Sequence, residues 1–353
     1  MTESRLLTLI KNRNVVFITV KNREYIRVKQ LEKLCHKNAA SVRIVSSERG
    51  NPLSRAIDIN HRLKKDLFEE CEILILGFLP QLVCKRAVTM AKECNPKAFV
   101  ISDFFLSVYD TVALDRKYVR DRGLIAKELK KLDHRALECA EIVLTDTKAD
   151  ADFFAREFEI TRDKFEVLYL EADKEIYFSS KEAGILKRSG KRTALYFGTG
   201  LPLQGTDVVL EAFRQIITAG RQISCIYVGG VNFIPKDIIK EYCIICESEE
   251  FEKAISHDNG KIVIIKWLPQ EKLSKLIELS DICLAGHFNS YIDKANRTIP
   301  GKAFIYEAMG KKMILGDTLA NRELFLEDDK HHFVRRGDAK ALAECILRTC
   351  GEL

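Results

Sequence analysis

The 353 residues, 46% hydrophobic and 31% charged, exceed one ordinary core and fit two domains of about 150–190 residues each. The longest apolar runs, such as residues 73–79, fall far short of the ~18–20 residues that span a bilayer, and residues 1–13 lack a signal-peptide cleavage site. A net charge of +6 suits an anionic ligand or an acidic lipid surface; it is too diffuse to argue for nucleic acid, and no RNA-binding motif or Arg-rich tract appears.

Along the chain, short β-branched runs alternate with helix-length segments. Residues 15–20, 42–45, 73–76, 99–101 and 142–145 read as strands, each nearly continuous in apolar residues, as a parallel sheet covered on both faces requires. After the first strand, Lys21, Arg23, Arg27 and Lys29 concentrate cations. A solvated helix face is the default reading there, and a patch facing a membrane or an acceptor is the functional one. The segment Asp103-Phe-Phe-Leu-Ser107-Val-Tyr109-Asp110-Thr111 follows a buried strand, which predicts its polar groups at a sheet's carboxyl edge; an Asp capping the next helix is the alternative. His134 falls in a charged helix over 126–140 and reads as exposed, while Thr145-Asp146-Thr147 reads as structural or as part of a site's rim. Periodicity lapses over 171–191, where Ser179-Ser180, Gly184 and Ser189-Gly190 cluster with charges. The expected division is a domain over 1–172, a linker over 173–191 and a domain over 192–353.

The second half repeats the rhythm with strands at 194–197, 223–228, 262–265, 282–284 and 313–315. Strands separated by helices mean right-handed βαβ units, hence an α/β protein with two doubly wound, Rossmann-like sheets. Ligands in such folds sit beyond the carboxyl ends of the strands, here in a cleft between facing sheets. Gly198-Thr199-Gly200-Leu201-Pro202-Leu203-Gln204-Gly205 links the first of these strands to a helical pattern, which aims backbone N–H groups at an anion. A Walker loop would need Lys-Ser or Lys-Thr where Thr206-Asp207 stand, and a dinucleotide fingerprint would need glycine at Leu203. An ordinary tight turn is the alternative. Cys243-Ile-Ile-Cys246 has zinc-like spacing but no second pair, so no metal is expected there. Asp328-Asp329, in the charged stretch 327–332, reads as a surface turn. The eleven cysteines lie mostly in apolar runs and read as core residues in a reducing, cytoplasmic setting.

Four blocks follow in order over 192–348: Tyr196-Phe-Gly-Thr-Gly…Gln204-Gly-Thr-Asp-Val-Val-Leu-Glu211; Trp267-Leu-Pro269-Gln-Glu-Lys-Leu273…Ser280-Asp281; Arg297-Thr-Ile299-Pro300-Gly-Lys302…Tyr306-Glu307-Ala308-Met309-Gly310; and Arg322-Glu323-Leu324-Phe325 with Gly337-Asp338. This succession resembles the donor domain of glycosyltransferase family 4. The resemblance implies a GT-B enzyme that takes sugar from a nucleotide-sugar donor with retention, without metal or other cofactor. It implies a glycan or lipid-linked acceptor in surface polysaccharide assembly, with peripheral contact to an anionic membrane as a further expectation. In the donor site it places Gly198, Thr199, Gly200, Gln204 and Gly205 in the loop, Trp267 and Leu268 beside the base, and Arg297 and Lys302 on the diphosphate, whose charge a metal-free enzyme must meet with cations. Thr199 or Gly200 and Gln204 stand where the family often carries Arg and Lys. Gly286 and Ile305 stand in the slots of its two glutamates. Glu307 is two residues off register, about 200° round a helix, and His287 is a substitute near the sugar. In the first domain the resemblance gives Asp110 or Asp103 the role of orienting the acceptor hydroxyl or taking its proton. Two rival readings remain: a sugar-nucleotide epimerase, which would need more acid and base groups than the sequence offers, and a non-catalytic GT-B scaffold, favoured by the displaced glutamates.

Overall fold

A computed structural model of the chain describes residues 5–179, 191–256 and 258–352. Two compact units divide it, Met1–Glu171 and Ala172–Leu353. Most of the linker expected over 173–191, with Ser180, Gly184, Ser189 and Gly190, lies outside the described residues.

In the first unit, β1 (Asn14–Thr19), β2 (Ser41–Val45), β3 (Ile73–Gly77), β4 (Phe99–Asp103), β5 (Ile142–Thr145) and β6 (Phe165–Val167) form one sheet. Its order is β2-β1-β3-β4-β5-β6, parallel throughout. Alternate residues of each strand face opposite ways, so β1 sends Val15 and Phe17 to one core, Val16 and Ile18 to the other. Helices Arg5–Ile10 and Ile26–Asn38 cover the first face with Leu6, Ile10, Val28 and Leu31. Helices Pro52–Arg62, Cys84–Cys94, Leu124–Glu138 and Lys148–Glu157 cover the second, largely through alanines such as Ala56, Ala87, Ala91 and Ala136 that let the helices lie close.

In the second unit, β7 (Arg192–Phe197), β8 (Ile223–Val228), β9 (Cys243–Cys246), β10 (Ile262–Ile265), β11 (Ile282–Gly286), β12 (Met313–Gly316) and β13 (His331–Val334) form a parallel sheet of order β13-β12-β11-β7-β8-β10-β9. The chain runs outward from β7 through β8, then returns to β11 on the other side of β7. The strand order therefore reverses between β7 and β11, and in open α/β sheets that reversal opens the crevice where ligands bind. The Cys-x-x-Cys stretch is the edge strand β9, and β13 follows directly on the turn at Asp328, where a surface turn alone is expected. All eleven cysteines are free thiols, nine of them buried. No helix among the described residues is long and apolar enough to cross a membrane.

Candidate functional site

The predicted strand, turn and helix around Gly198 are present: β7 ends at Phe197 and a helix runs from Thr206 to Thr218. The N–H of Gly198 still continues the ladder, donating to Val228 O at 3.0 Å. Gly200 and Gly205 both take the left-handed conformation, at φ +72° and +67°. Glycine is doubly required at 205, because a Cβ there would lie 2.5 Å from Asn289 N and 2.6 Å from Phe288 C. That close approach lets Phe288 N donate to Gln204 O at 3.1 Å and ties the turn after β11 to the turn after β7. Asn321, fully buried, donates from Nδ2 to Gly286 O (3.1 Å) and Gly316 O (2.8 Å), which fixes the ends of β11 and β12.

Lys302 enters this corner from the second position of helix Gly301–Ala308, begun by Pro300. It is 6% exposed. Its Nζ stands 3.9 Å from the Tyr196 ring centroid and 5.6 Å from that of Phe197, and has no hydrogen-bond partner. A Cβ on Gly198 would lie 3.2 Å from that Nζ and 2.7 Å from Gln204 Oε1, a second buried polar atom without a partner. Burial pulls the Lys302 ammonium down to about 7. His287, at the carboxyl end of β11, is buried as well, and its Nδ1 is a third unsatisfied atom. Burial, then the charges of Lys302, Lys294 and Arg336, push its pKa down to about 3, so the imidazole is neutral at ordinary pH. Buried polar groups are nearly always bonded. An ammonium, an amide oxygen and an imidazole left unmet at the sheet's crossover are groups suited to a polar, anionic ligand.

Arg297 closes the short helix Lys294–Arg297 and is buried, with Nε on the exposed carboxylate of Asp293 at 2.8 Å. Neither it nor Lys302 is a solvated loop cation, since both are buried. Thr199 is exposed on the loop; Trp267 is exposed beyond β10, while Leu268 is buried beside it. Glu307 corrects an expectation. Five residues from Lys302, about 140° round the helix, it meets His331 Nε2 at 2.8 Å, and His331 Nδ1 lies 3.0 Å from Asp328 Oδ1. Glu307 thus fastens edge strand β13 and does not converge on the loop.

The first unit brings larger corrections. Asp103 faces no acceptor: it is fully buried, and its Oδ1 receives Arg27 Nε at 3.0 Å and Nη2 at 2.7 Å, with Arg27 equally buried and also bonded to Leu168 O. Asp110 is buried at the start of the π-helical turn Asp110–Asp115, and so has no face toward solvent either. The cationic run after β1 is not an open patch. Arg27 is internal, Arg23 grips Glu32 at 2.8 and 2.9 Å, and Lys29 pairs with Glu24 at 2.8 Å. Sequence reasoning missed Asp133, next to half-exposed His134. Asp133 is fully buried and accepts Gln81 Nε2 (2.7 Å), Ser107 Oγ (2.6 Å), Val108 N (3.1 Å) and Tyr109 N (2.8 Å). The signal was there: Asp133 falls on the helix's inward stripe with Ala126, Leu129, Ala136 and Leu137. Among the described residues, no group of three His, Cys, Asp or Glu side chains could hold a metal ion.

Gly198→Ala tests the corner. The added methyl meets only the far ends of two flexible side chains, so the melting temperature should stay within a few degrees while anion binding falls at least about tenfold, by displacing a charge-assisted contact. Unchanged binding would place the ligand elsewhere.

No protein-family model and no curated sequence matches the chain. Solved structures do. Sucrose-phosphate synthase from Thermosynechococcus elongatus aligns over 96% of this chain and 90% of its own, with 12% identity and a TM-score of 0.65. HepE of Anabaena, crystallised with UDP and glucose, aligns over 96% and 89%, with 13% identity and a TM-score of 0.60. A glycosyltransferase from Rickettsia africae aligns over 96% and 88%, with 15% identity and a TM-score of 0.59. The fold is GT-B. Its two Rossmann-like units are the six- and seven-stranded sheets described above, and the Lys302 corner lies at the crossover of the second.

Proposed function

We propose that this GT-B chain is a glycosyltransferase whose nucleoside-diphosphate sugar is held in the second unit, between residues 198–205 and 297–302. The observation that carries the reading is Lys302 Nζ, a buried nitrogen aimed at Gly198 with no partner in the protein. A departing diphosphate develops negative charge, and a diphosphate at this corner would hold Lys302 in its ammonium form. Arg297, the start of helix Gly301–Ala308 and the loop amides add to that field. Neutral His287 suits a hydrogen bond to a sugar hydroxyl, and the exposed ring of Trp267 suits stacking with a base. Further support comes from the neighbours. HepE is known in complexes with UDP and with UDP-glucose, and an alpha-glucosyltransferase likewise, the latter at 12% identity over 88% of this chain with a TM-score of 0.58. Retention of configuration, a glycan or lipid-linked acceptor, a role in polysaccharide assembly and independence of metal complete the proposal, on the sequence resemblance.

A thermal-shift panel of UDP-, GDP- and ADP-sugars on the full chain is the test. A donor at a hundredfold excess over its Kd should add about 2.7 kcal/mol of stability. Silence across the panel would remove the donor site and favour the non-catalytic scaffold. Once a donor is known, initial transfer rates should persist in excess EDTA, since cationic side chains neutralise the leaving group; a loss above about tenfold, restored by magnesium or manganese, would assign that charge to a metal.

A further inference from the structure

We propose, resting on the donor site assigned to the second unit, that Phe233 is the stacking platform for the donor's nucleobase and holds it along the carboxyl ends of β8 and β10. Strands β7, β8 and β10 are neighbours in the sheet, with Phe197 opposite Val228 and Val228 opposite Ile265. The loops that follow them therefore stand in a row at the sheet's carboxyl edge. The first is the glycine turn beside Lys302. The second, residues 229–235, carries Phe233 at 44% exposure, and the third carries Trp267 at 65%. A nucleotide whose diphosphate rests on the first loop has two exposed aromatic side chains next along the row. Its base is the part such surfaces hold, because every base presents a π-face.

The loop fixes Phe233 where it stands. Ile234 N donates to Val231 O at 3.0 Å, which closes a turn with Asn232 and Phe233 at its corners, while Val231 and Ile234 pack against the core. Gly229 N donates to Ile265 O at 2.9 Å and fastens the loop to β10. The Tyr227 hydroxyl lies 3.1 Å from Gly230 O and 3.4 Å from Gly198 O, which fastens it to the glycine turn. The Phe233 ring itself leans on that turn. A Cβ on Gly200 would lie 2.8 Å from Phe233 Cδ1, 3.1 Å from Cζ and closer still to Cε1. Gly200 is thus bare for two reasons, its φ of +72° and the ring seated against it. From inside the core the Tyr227 ring meets Phe233 at 67°, with centroids 6.5 Å apart. A single exposed aromatic is ordinary on any protein. One held against the backbone of an anion-binding turn, nearly half open, with a second on the adjoining loop, is placed to stack a base whose phosphates that turn receives.

The measurement is calorimetric titration of the full chain with UDP, GDP, ADP and inorganic pyrophosphate, for wild type, Phe233→Leu and Phe233→Tyr. Leucine keeps an apolar contact on Gly200 and removes the π-face; tyrosine keeps both. Phe233→Leu should weaken each nucleoside diphosphate that wild type binds by about five- to a hundredfold, and leave pyrophosphate affinity and melting temperature unchanged. Phe233→Tyr should bind within about twofold of wild type. Trp267, the chain's one tryptophan, should change its fluorescence with a nucleoside diphosphate and not with pyrophosphate. Equal nucleotide affinities in Phe233→Leu and wild type overturn the proposal and leave the donor site standing. Equal losses for nucleotide and pyrophosphate also overturn it, by making Phe233 a prop of the glycine turn. So does a nucleotide that binds without disturbing Trp267. A wild-type chain that binds none of the three nucleotides fails the donor reading, and this inference falls with it.

Discussion

Lys302→Met should stabilise the protein and cripple donor binding at once. The wild-type side chain buries a nitrogen beside Tyr196 with no partner, which burial penalises whenever it is charged. A methionine of similar length removes that penalty and keeps the packing. The sign with pH follows from the depressed pKa. Between about 7 and the ordinary lysine value of 10.5 the unfolded chain holds a proton that the folded chain has released, so this group's contribution to stability rises with pH across that window. Lys302→Met should raise the melting temperature most near and below pH 7 and flatten that rise. Donor binding should run the other way. Loss of a charge-assisted bond to diphosphate costs about 1.5–3 kcal/mol, so kcat/KM should fall roughly ten- to a hundred-and-fifty-fold. Wild-type affinity should weaken as pH climbs above 7, and a sugar nucleotide bound at pH 8 should take up a proton, seen as a binding heat that varies with the buffer's ionisation enthalpy. A variant with unaltered melting temperature and affinity would show that Nζ serves neither role.

Arg27→Met is the second large effect. It leaves the Asp103 carboxylate buried without its cation, and breaking a buried pair from one side typically costs about 3–5 kcal/mol. Urea unfolding of the first unit should record that loss. Replacing both partners, Arg27→Met with Asp103→Leu, should recover most of it, because the expense lies in the stranded charge and not in the missing bond. If the single variant matched wild type, or the double variant were worse than the single, the pair would not be the stabilising unit described.

These two lysine and arginine sites show where sequence runs out. The strands of both sheets were legible because a parallel sheet covered on both faces must be written as unbroken apolar runs, as in β3, β8 and β10. Edge strands β6, β9 and β13 escaped because half their surface is open: β13 is spelled with histidines, and β9 with a cysteine spacing that invites a metallic reading. The crossover loop and Lys302 were visible as residue types in order. Burial was not, because it depends on packing between segments about a hundred residues apart, as Lys302 against Tyr196 illustrates. The same limit hid Arg27, whose neighbours in sequence are cations and whose partner lies 76 residues away. It also hid the partner of Glu307, a histidine on a strand that had not been recognised.

The backbone bond from Phe288 to Gln204, made possible by the bare Cα of Gly205, has a thermodynamic corollary. It makes one body of two turns that come from opposite sides of the sheet's reversal. Association ordinarily loses about 0.5–1.5 kcal/mol for each side chain or loop element it must immobilise. Here the two walls are held at fixed separation by the fold itself, so little of that entropy is left to lose when a guest arrives. Discrimination among chemically similar guests should then come from the guests' own torsional freedom and from what each presents to His287 and Trp267, with the protein acting as a rigid template.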